Sequence, residues 1–182
     1  MLNILTTPKT RETGSSRLDI PRSLMLLGVL VLAGCGFHLR GSMGMPFKTM
    51  YINTATPGTQ FMIELRRNLE ANNVTLVDNA EKAEVILDVA YEQAGKQVLT
   101  LGADGRVNEF RLSYRVSLRA YDLKQQTWLA AEEMEQLRDF SFDDAHILAK
   151  ESGELQLQKN MQSEMVQQLM RRLGNAKPQP AD

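Results

Sequence analysis

Few residues in this chain have the types and spacing that chemistry needs. There is one cysteine, Cys35, and two histidines, His38 and His146. A lone cysteine makes no internal disulfide, and two histidines are too few for a transition-metal site. His38 lies three residues past the cysteine, and neither histidine has a serine or cysteine motif beside it. Asp143-Asp144 is a pair of adjacent carboxylates, but acids in that setting favour the positive end of a helix dipole rather than proton transfer. Gly102-Ala103-Asp104-Gly105 holds two glycines without the strand-to-helix context of a phosphate loop. No catalytic group, metal or cofactor is expected, and the chain is not read as an enzyme.

Composition narrows the class further. The 182 residues are 43% apolar, 24% charged and 6% aromatic, with a formal net charge of −1. That balance excludes a membrane-spanning bundle, a collagen-like fibre and a disulfide scaffold. It provides no overall basic field for nucleic acid. A chain of this size predicts one compact domain.

The cysteine has a different use. Residues 24–33 form an uncharged apolar run, preceded by Arg17 and Arg22 and followed by the small Ala33 and Gly34. This is the pattern of a secretory leader. The run is far shorter than the roughly 20 apolar residues that span hydrocarbon. It stops at Leu32-Ala33-Gly34-Cys35, which resembles the bacterial lipobox. There the thiol receives a diacylglycerol, and after cleavage the cysteine becomes the acylated N-terminus. Residues 1–34 are therefore expected to be removed, leaving Cys35 with N-acyl and S-diacylglycerol groups. Each buried methylene contributes about 0.8 kcal/mol, so several chains on one residue anchor it stably. The following residue is Gly36 rather than Asp, which points to the outer membrane.

The elements behind this anchor follow from pattern. Residues 35–46 read as a lipidated tether. Residues 48–53 read as a strand, and Thr56-Pro57 as a helix start with Thr56 as N-cap. Phe61, Met62, Leu65 and Leu69 recur at helical spacing up to Asn72-Asn73. Val74–Val77 reads as a brief strand or a packed connector. Val85, Leu87, Val89, Tyr91, Leu99 and Leu101 share odd parity, whereas Phe110 to Ala120 alternates on even parity. Asp104-Gly105 lies between them, the pair favoured in two-residue type I′ turns. That turn predicts paired numbers summing to 209, with Leu99 beside Phe110 and Tyr91 beside Leu118. A third meander strand is expected from Thr127 to about Phe140, with weak alternation. A helix follows from about Glu151, with Met161, Met165 and Met170 as core filler, ending at Gly174. Residues 175–182 read as a disordered tail. The fold class is α+β: two helices on one face of a mostly antiparallel four-stranded sheet, with the domain spanning 47–174.

The outward face of the hairpin carries a basic row, Arg111, Arg115 and Arg119. In the register above, Asp88 and Glu92 lie diagonal to Arg119, so ordinary cross-strand ion pairs explain that end. At the tip, Lys96, Arg106 and Arg111 meet only Asp104 and Glu109. This is either an anion site or ordinary solvated charge.

Residues 32–41, Leu-Ala-Gly-Cys-Gly-Phe-His-Leu-Arg-Gly, resemble the start of the mature LptE family of lipopolysaccharide-assembly lipoproteins. The order of elements downstream is similar, with Arg138-Asp139-Phe140 and Leu148-Ala149-Lys150 before a last helix ending near Leu173-Gly174. The resemblance implies an outer-membrane lipoprotein that plugs and helps assemble the barrel LptD and helps deliver lipopolysaccharide to the outer leaflet. It also implies basic lipopolysaccharide contacts. Lys150 matches the family segment, whereas a basic position before the hairpin turn is Ala103 here, leaving Arg106 or Arg111 to substitute, with Lys96 nearby. A lipid-anchored periplasmic scaffold or chaperone for another barrel, without glycolipid binding, is the alternative.

Overall fold

The computed structural model describes residues 44–141 and 147–180, with the backbone alone for 147–150. The leader, Cys35, His38, and the segment with Asp143, Asp144 and His146 lie outside the described residues.

Strand β1 (Thr49–Thr54) leads to helix α1 (Gln60–Ala71), strand β2 (Thr75–Leu76) and a 3-10 turn (Ala80–Lys82). Three long strands follow, β3 (Val85–Leu101), β4 (Val107–Tyr121) and β5 (Thr127–Ser141), and then helix α2 (Ile147–Asn175). The sheet order is β2-β1-β3-β4-β5. The α+β class holds, but the expected four-stranded, mostly antiparallel sheet is corrected to a mixed sheet of five strands. Helix α1 crosses over the sheet and returns the chain to the end where it began, so β1 runs parallel to both β2 and β3. The segment after α1 becomes β2 because Thr75 and Val77 donate to the Lys48 and Met50 carbonyls at 2.8 and 3.0 Å.

Helix α1 begins later than its sequence predicts. Thr59, not Thr56, is the N-cap, and its hydroxyl accepts from the Met62 amide at 3.3 Å. Its C-terminus is a Schellman arrangement. Asn73 takes the left-handed conformation (φ 63°). The Val74 amide donates to the Leu69 carbonyl and the Asn73 amide to the Glu70 carbonyl, both at 3.0 Å.

The core lies between the two helices and one sheet face. Met50, Ile52, Val85, Leu87 and Val89 meet Leu112, Tyr114, Val116 and Leu118 there. From above, α1 contributes Phe61, Met62, Leu65 and Leu69; α2 contributes Met161, Met165, Val166, Leu169, Met170 and Leu173. The methionines of α2 are indeed core filler. No polar or charged residue is buried among the described residues.

The hairpin register differs from expectation at the turn and at a bulge in mid-strand, with a local irregularity around Thr100 as well. Gly102 donates to the Arg106 carbonyl, and Gly105, at φ +79°, donates to the Gly102 carbonyl. Asp104 is not among the residues with positive φ. The turn is thus a three-residue loop, a type I turn closed by a left-handed glycine, rather than type I′. That one-residue change gives Val98↔Phe110, Gln97↔Arg111 and Lys96↔Leu112. A bulge between Val89 and Tyr91 then shifts the register again, giving Val89↔Leu118. Val85, Leu87 and Val89 therefore face the core as read, whereas the outer half of β3 is inverted. Tyr91 and Leu101 are 42% and 62% exposed. Glu92 and Lys96 turn to the helix-covered face instead of the outward one.

Part of the tail expected to be disordered is held. Ala176 is buried, and Gln179 exchanges two backbone hydrogen bonds with Thr127 at 2.8 and 2.9 Å.

Candidate functional site

The face of the sheet away from the helices is a ladder of ion pairs. Period-two geometry puts Arg111, Arg115 and Arg119 of β4 on it in one row, as the sequence predicts. Register brings Asp139 opposite Arg111, Glu135 opposite Arg115 and Asp88 opposite Arg119. Arg111 makes a two-pronged contact with Asp139, at 2.7 and 2.9 Å. That hydrogen bond raises the Arg111 pKa above its ordinary value and holds the Asp139 carboxyl below the usual carboxylate range. Arg115 lies 2.7 Å from Glu135 and 3.7 Å from Glu133, which also accepts from the Tyr91 hydroxyl. Arg119 lies 3.0 Å from Asp88 and stacks over Tyr121. The acids of β5 were the signal missed in the sequence: Glu133, Glu135 and Asp139 share one parity, opposite the arginines.

The helix-covered face has its own polar network. Glu92, brought there by the bulge, accepts from the Thr59 hydroxyl at 2.6 Å and from the Tyr114 hydroxyl at 2.5 Å. Burial, and then the hydrogen bond to Glu92, push the Tyr114 hydroxyl well above its ordinary pKa. Further along β3, Lys96 Nζ lies 2.5 Å from Glu154 of α2 and 4.1 Å from the Phe110 ring centre. Arg138 of β5 pairs with Glu164 of α2.

The four basic residues singled out in the sequence are therefore dispersed. Lys96 is on the helix-covered face and Arg111 on the opposite one, so the expected joint cluster at the tip is corrected. Their partners, Glu154 and Asp139, come from elements the hairpin alone does not reveal. Arg106 remains at the turn, 3.6 Å from Asp104. Lys150 is in the first turn of α2, one helical turn before Glu154. Cys35 is outside the described residues.

Among the described residues no group of three or more His, Cys, Asp or Glu is placed to hold a metal ion. No described helix is long and apolar enough to cross a membrane. Fold and surface together define a small α+β domain with ion-paired charge spread over its open sheet face. Comparison with known proteins makes the class specific. The family profile described as "LptE: Lipopolysaccharide-assembly" matches residues 47–173. The chain belongs to the LptE family of lipopolysaccharide-assembly lipoproteins, which are not enzymes. It is 27% identical over 152 residues to the LPS-assembly lipoprotein LptE of Photorhabdus laumondii, covering 82% of each chain. With the Yersinia pestis protein of the same name it shares 29% identity over 153 residues, covering 82% of this chain and 73% of that one. The solution NMR structure of uncharacterized lipoprotein B from Nitrosomonas europaea superposes with a TM-score of 0.63 at 37% identity, covering 75% of this chain and 88% of that chain. The crystal structure of rare lipoprotein B from Shewanella oneidensis shares the fold, with a TM-score of 0.60 at 22% identity over 68% of this chain and 92% of that chain.

Proposed function

We propose that this chain is anchored by lipid on Cys35 at the periplasmic side of the outer membrane, sits in the lumen of the barrel LptD, helps that barrel assemble, and helps deliver lipopolysaccharide to the outer leaflet. The observation that carries the reading is the open sheet face. Its arginines are each met by an acid: Arg111 by Asp139, Arg115 by Glu135 and Arg119 by Asp88. A barrel interior is polar and wet, so a plug needs a hydrophilic surface whose charge is internally balanced. The family match and the curated relatives' names support lipopolysaccharide as the cargo. The anionic headgroup is met at the distal end of the domain, where Lys150, Lys96 and Arg106 stand. Arg111, held by Asp139 on the opposite face, plays the smaller part.

Isolation of the tagged chain from native outer membranes tests the reading. LptD in equal amount is the expected result. Another barrel in its place would instead make the chain a scaffold, and no barrel at all would remove the plug role.

A further inference from the structure

Strand β5 ends the sheet, and among the described residues β4 is its one neighbour along most of its length. From Glu132 to Ser141 its register with β4 runs without a shift. This stretch is a regular, extended edge with no strand on its outer side. Natural sheets blunt such edges with a proline, a lysine or a bulge. Residues 132–141 contain no proline, lysine or glycine, and the register shifts of β5 lie before them, beside Leu118 and Ala120. At its start the edge already holds a neighbour. Thr127 and Gln179 exchange backbone hydrogen bonds at 2.8 and 2.9 Å in an antiparallel bridge. The chain's own tail thus shows which way a neighbour runs, and its bridge stops short of residues 132–139.

The charge on this edge selects what it accepts. On the helix-covered side its ions are matched by α2, Arg138 by Glu164 and Glu132 by Arg172. On the open face β5 presents Glu133, Glu135, Leu137 and Asp139 in one row, and Leu137 is 44% exposed. The three acids of that row face two arginines, Arg115 and Arg111. Negative charge is in surplus at the border of the sheet. Across the strands the rows read Arg115–Glu135 and Arg111–Asp139, so a cation on a further strand continues the alternation. A second copy of this chain does not fit. Every antiparallel self-pairing centred between residues 133 and 137 sets an acid opposite an acid, which is destabilising.

We propose that the edge of β5 over residues 132–139 binds an extended, basic segment of a partner protein, which adds to the sheet as a further antiparallel strand. Main-chain hydrogen bonds supply the affinity, and the outward row supplies the choice of sequence. The matching face of the segment carries a cation opposite Asp139, an apolar side chain opposite Leu137, and cations opposite Glu135 and Glu133. Side chains of a strand alternate between faces, so the segment reads cation-x-apolar-x-cation-x-cation. The inference does not rest on the barrel reading, because the partner is defined by this pattern and tested as a free peptide.

The test uses the full processed chain in phosphatidylcholine vesicles at physiological salt. The probe is the dye-labelled peptide Thr-Arg-Thr-Val-Thr-Arg-Thr-Arg-Thr. Its control, Thr-Thr-Arg-Arg-Thr-Val-Arg-Thr-Thr, has the same composition with its cations split between the two faces. Fluorescence anisotropy reads affinity, and hydrogen exchange reads place. The matched peptide is expected to bind several-fold more tightly than the control and to slow exchange at residues 132–139. Glu133→Gln combined with Glu135→Gln weakens the matched peptide several-fold. Methylating one alternate set of the peptide's backbone nitrogens abolishes binding, and methylating the other set leaves it. Equal affinity for the two peptides reduces the contact to general charge attraction and overturns the site. So does binding that leaves exchange at 132–139 unchanged. Two methylated sets that bind alike rule out strand addition. Self-association of the chain that the peptide reverses would make a second copy the occupant, with the same consequence.

Discussion

The Glu92 carboxylate and the Tyr114 hydroxyl meet 2.5 Å apart on the helix-covered face, and the same carboxylate takes the hydroxyl of the α1 N-cap, Thr59. One side chain thus ties β3, β4 and the start of α1 together. Hydrogen bonds to charged groups contribute about 1.5–3 kcal/mol, less where the carboxylate is partly solvated. Tyr114→Phe is expected to lower stability by about 1–2 kcal/mol. The urea midpoint should fall without a change in slope. An unchanged midpoint would mean that the Tyr114–Glu92 bond does not help hold β4 to β3 on this face.

The hairpin turn makes a second prediction. Gly105 stands at φ +79° with open space around it, so a side chain there meets strain rather than a clash. The left-handed conformation costs an L-residue about 1–2 kcal/mol, and β-branched residues tolerate it worst. Gly105→Val should destabilise by about that amount, and Gly105→Asn by less. Thermal unfolding of both variants checks the order, and equal melting temperatures for the two would refute the assigned conformation.

The Arg111–Asp139 pair predicts an effect of pH. Asp139 titrates below the usual carboxylate range when folded. Its contribution is therefore present above the unfolded carboxyl value of about 3.9 and is lost as pH falls through the lower folded value. Asp139→Asn should lower the urea midpoint slightly at about pH 6, and the gap to the wild type should close as pH falls through the lowered folded value. Both groups are solvent-exposed, so added salt should narrow the gap as well. A gap that persists in acid would assign the effect to packing instead.

The inner half of the sheet was legible because burial enforces period two: Val85, Leu87 and Val89 face the core as the alternation says. The outer half misled for a physical reason. Beyond Val89 the strand leaves the core, so parity no longer reports burial, and an unmarked bulge inverts Tyr91, Glu92 and Lys96. Asp104-Gly105 marked the turn but not its length, since a three-residue loop also places glycine in the left-handed position. The parallel pairing of β1 depends on a crossover that only three-dimensional packing reveals. The basic row was visible in β4 and Asp88 was placed near Arg119, but the acids that meet Arg111 and Arg115 were hidden in β5, an edge strand whose exposed glutamates blur the alternation. Arg138, absent from the sequence candidates, became visible only through Glu164.

The lipid anchor predicts a processing defect. If the Cys35 thiol accepts the diacylglycerol, Cys35→Ser has no acceptor and leaves an uncleaved precursor. Gel mobility and labelled palmitate read this directly. Normal palmitate incorporation into the variant would overturn the assignment.

The two halves of α2 should respond very differently to the same truncation. Leu169 is fully buried among Leu65, Leu69 and the sheet side chains of the core. Leucine-to-alanine changes at such sites cost about 2–5 kcal/mol, because the lost burial is joined by the cavity left behind. Leu155 is 58% exposed two turns upstream of the buried stripe. Truncating it removes little buried area, and surface changes of this kind stay within about 0.5 kcal/mol. Leu169→Ala should therefore lower the urea midpoint strongly, and Leu155→Ala should leave it in place. Hydrogen exchange under native conditions should show the same division, with residues 151–160 exchanging well before residues 161–173. Uniform protection along the helix would mean that α2 opens only with the whole domain.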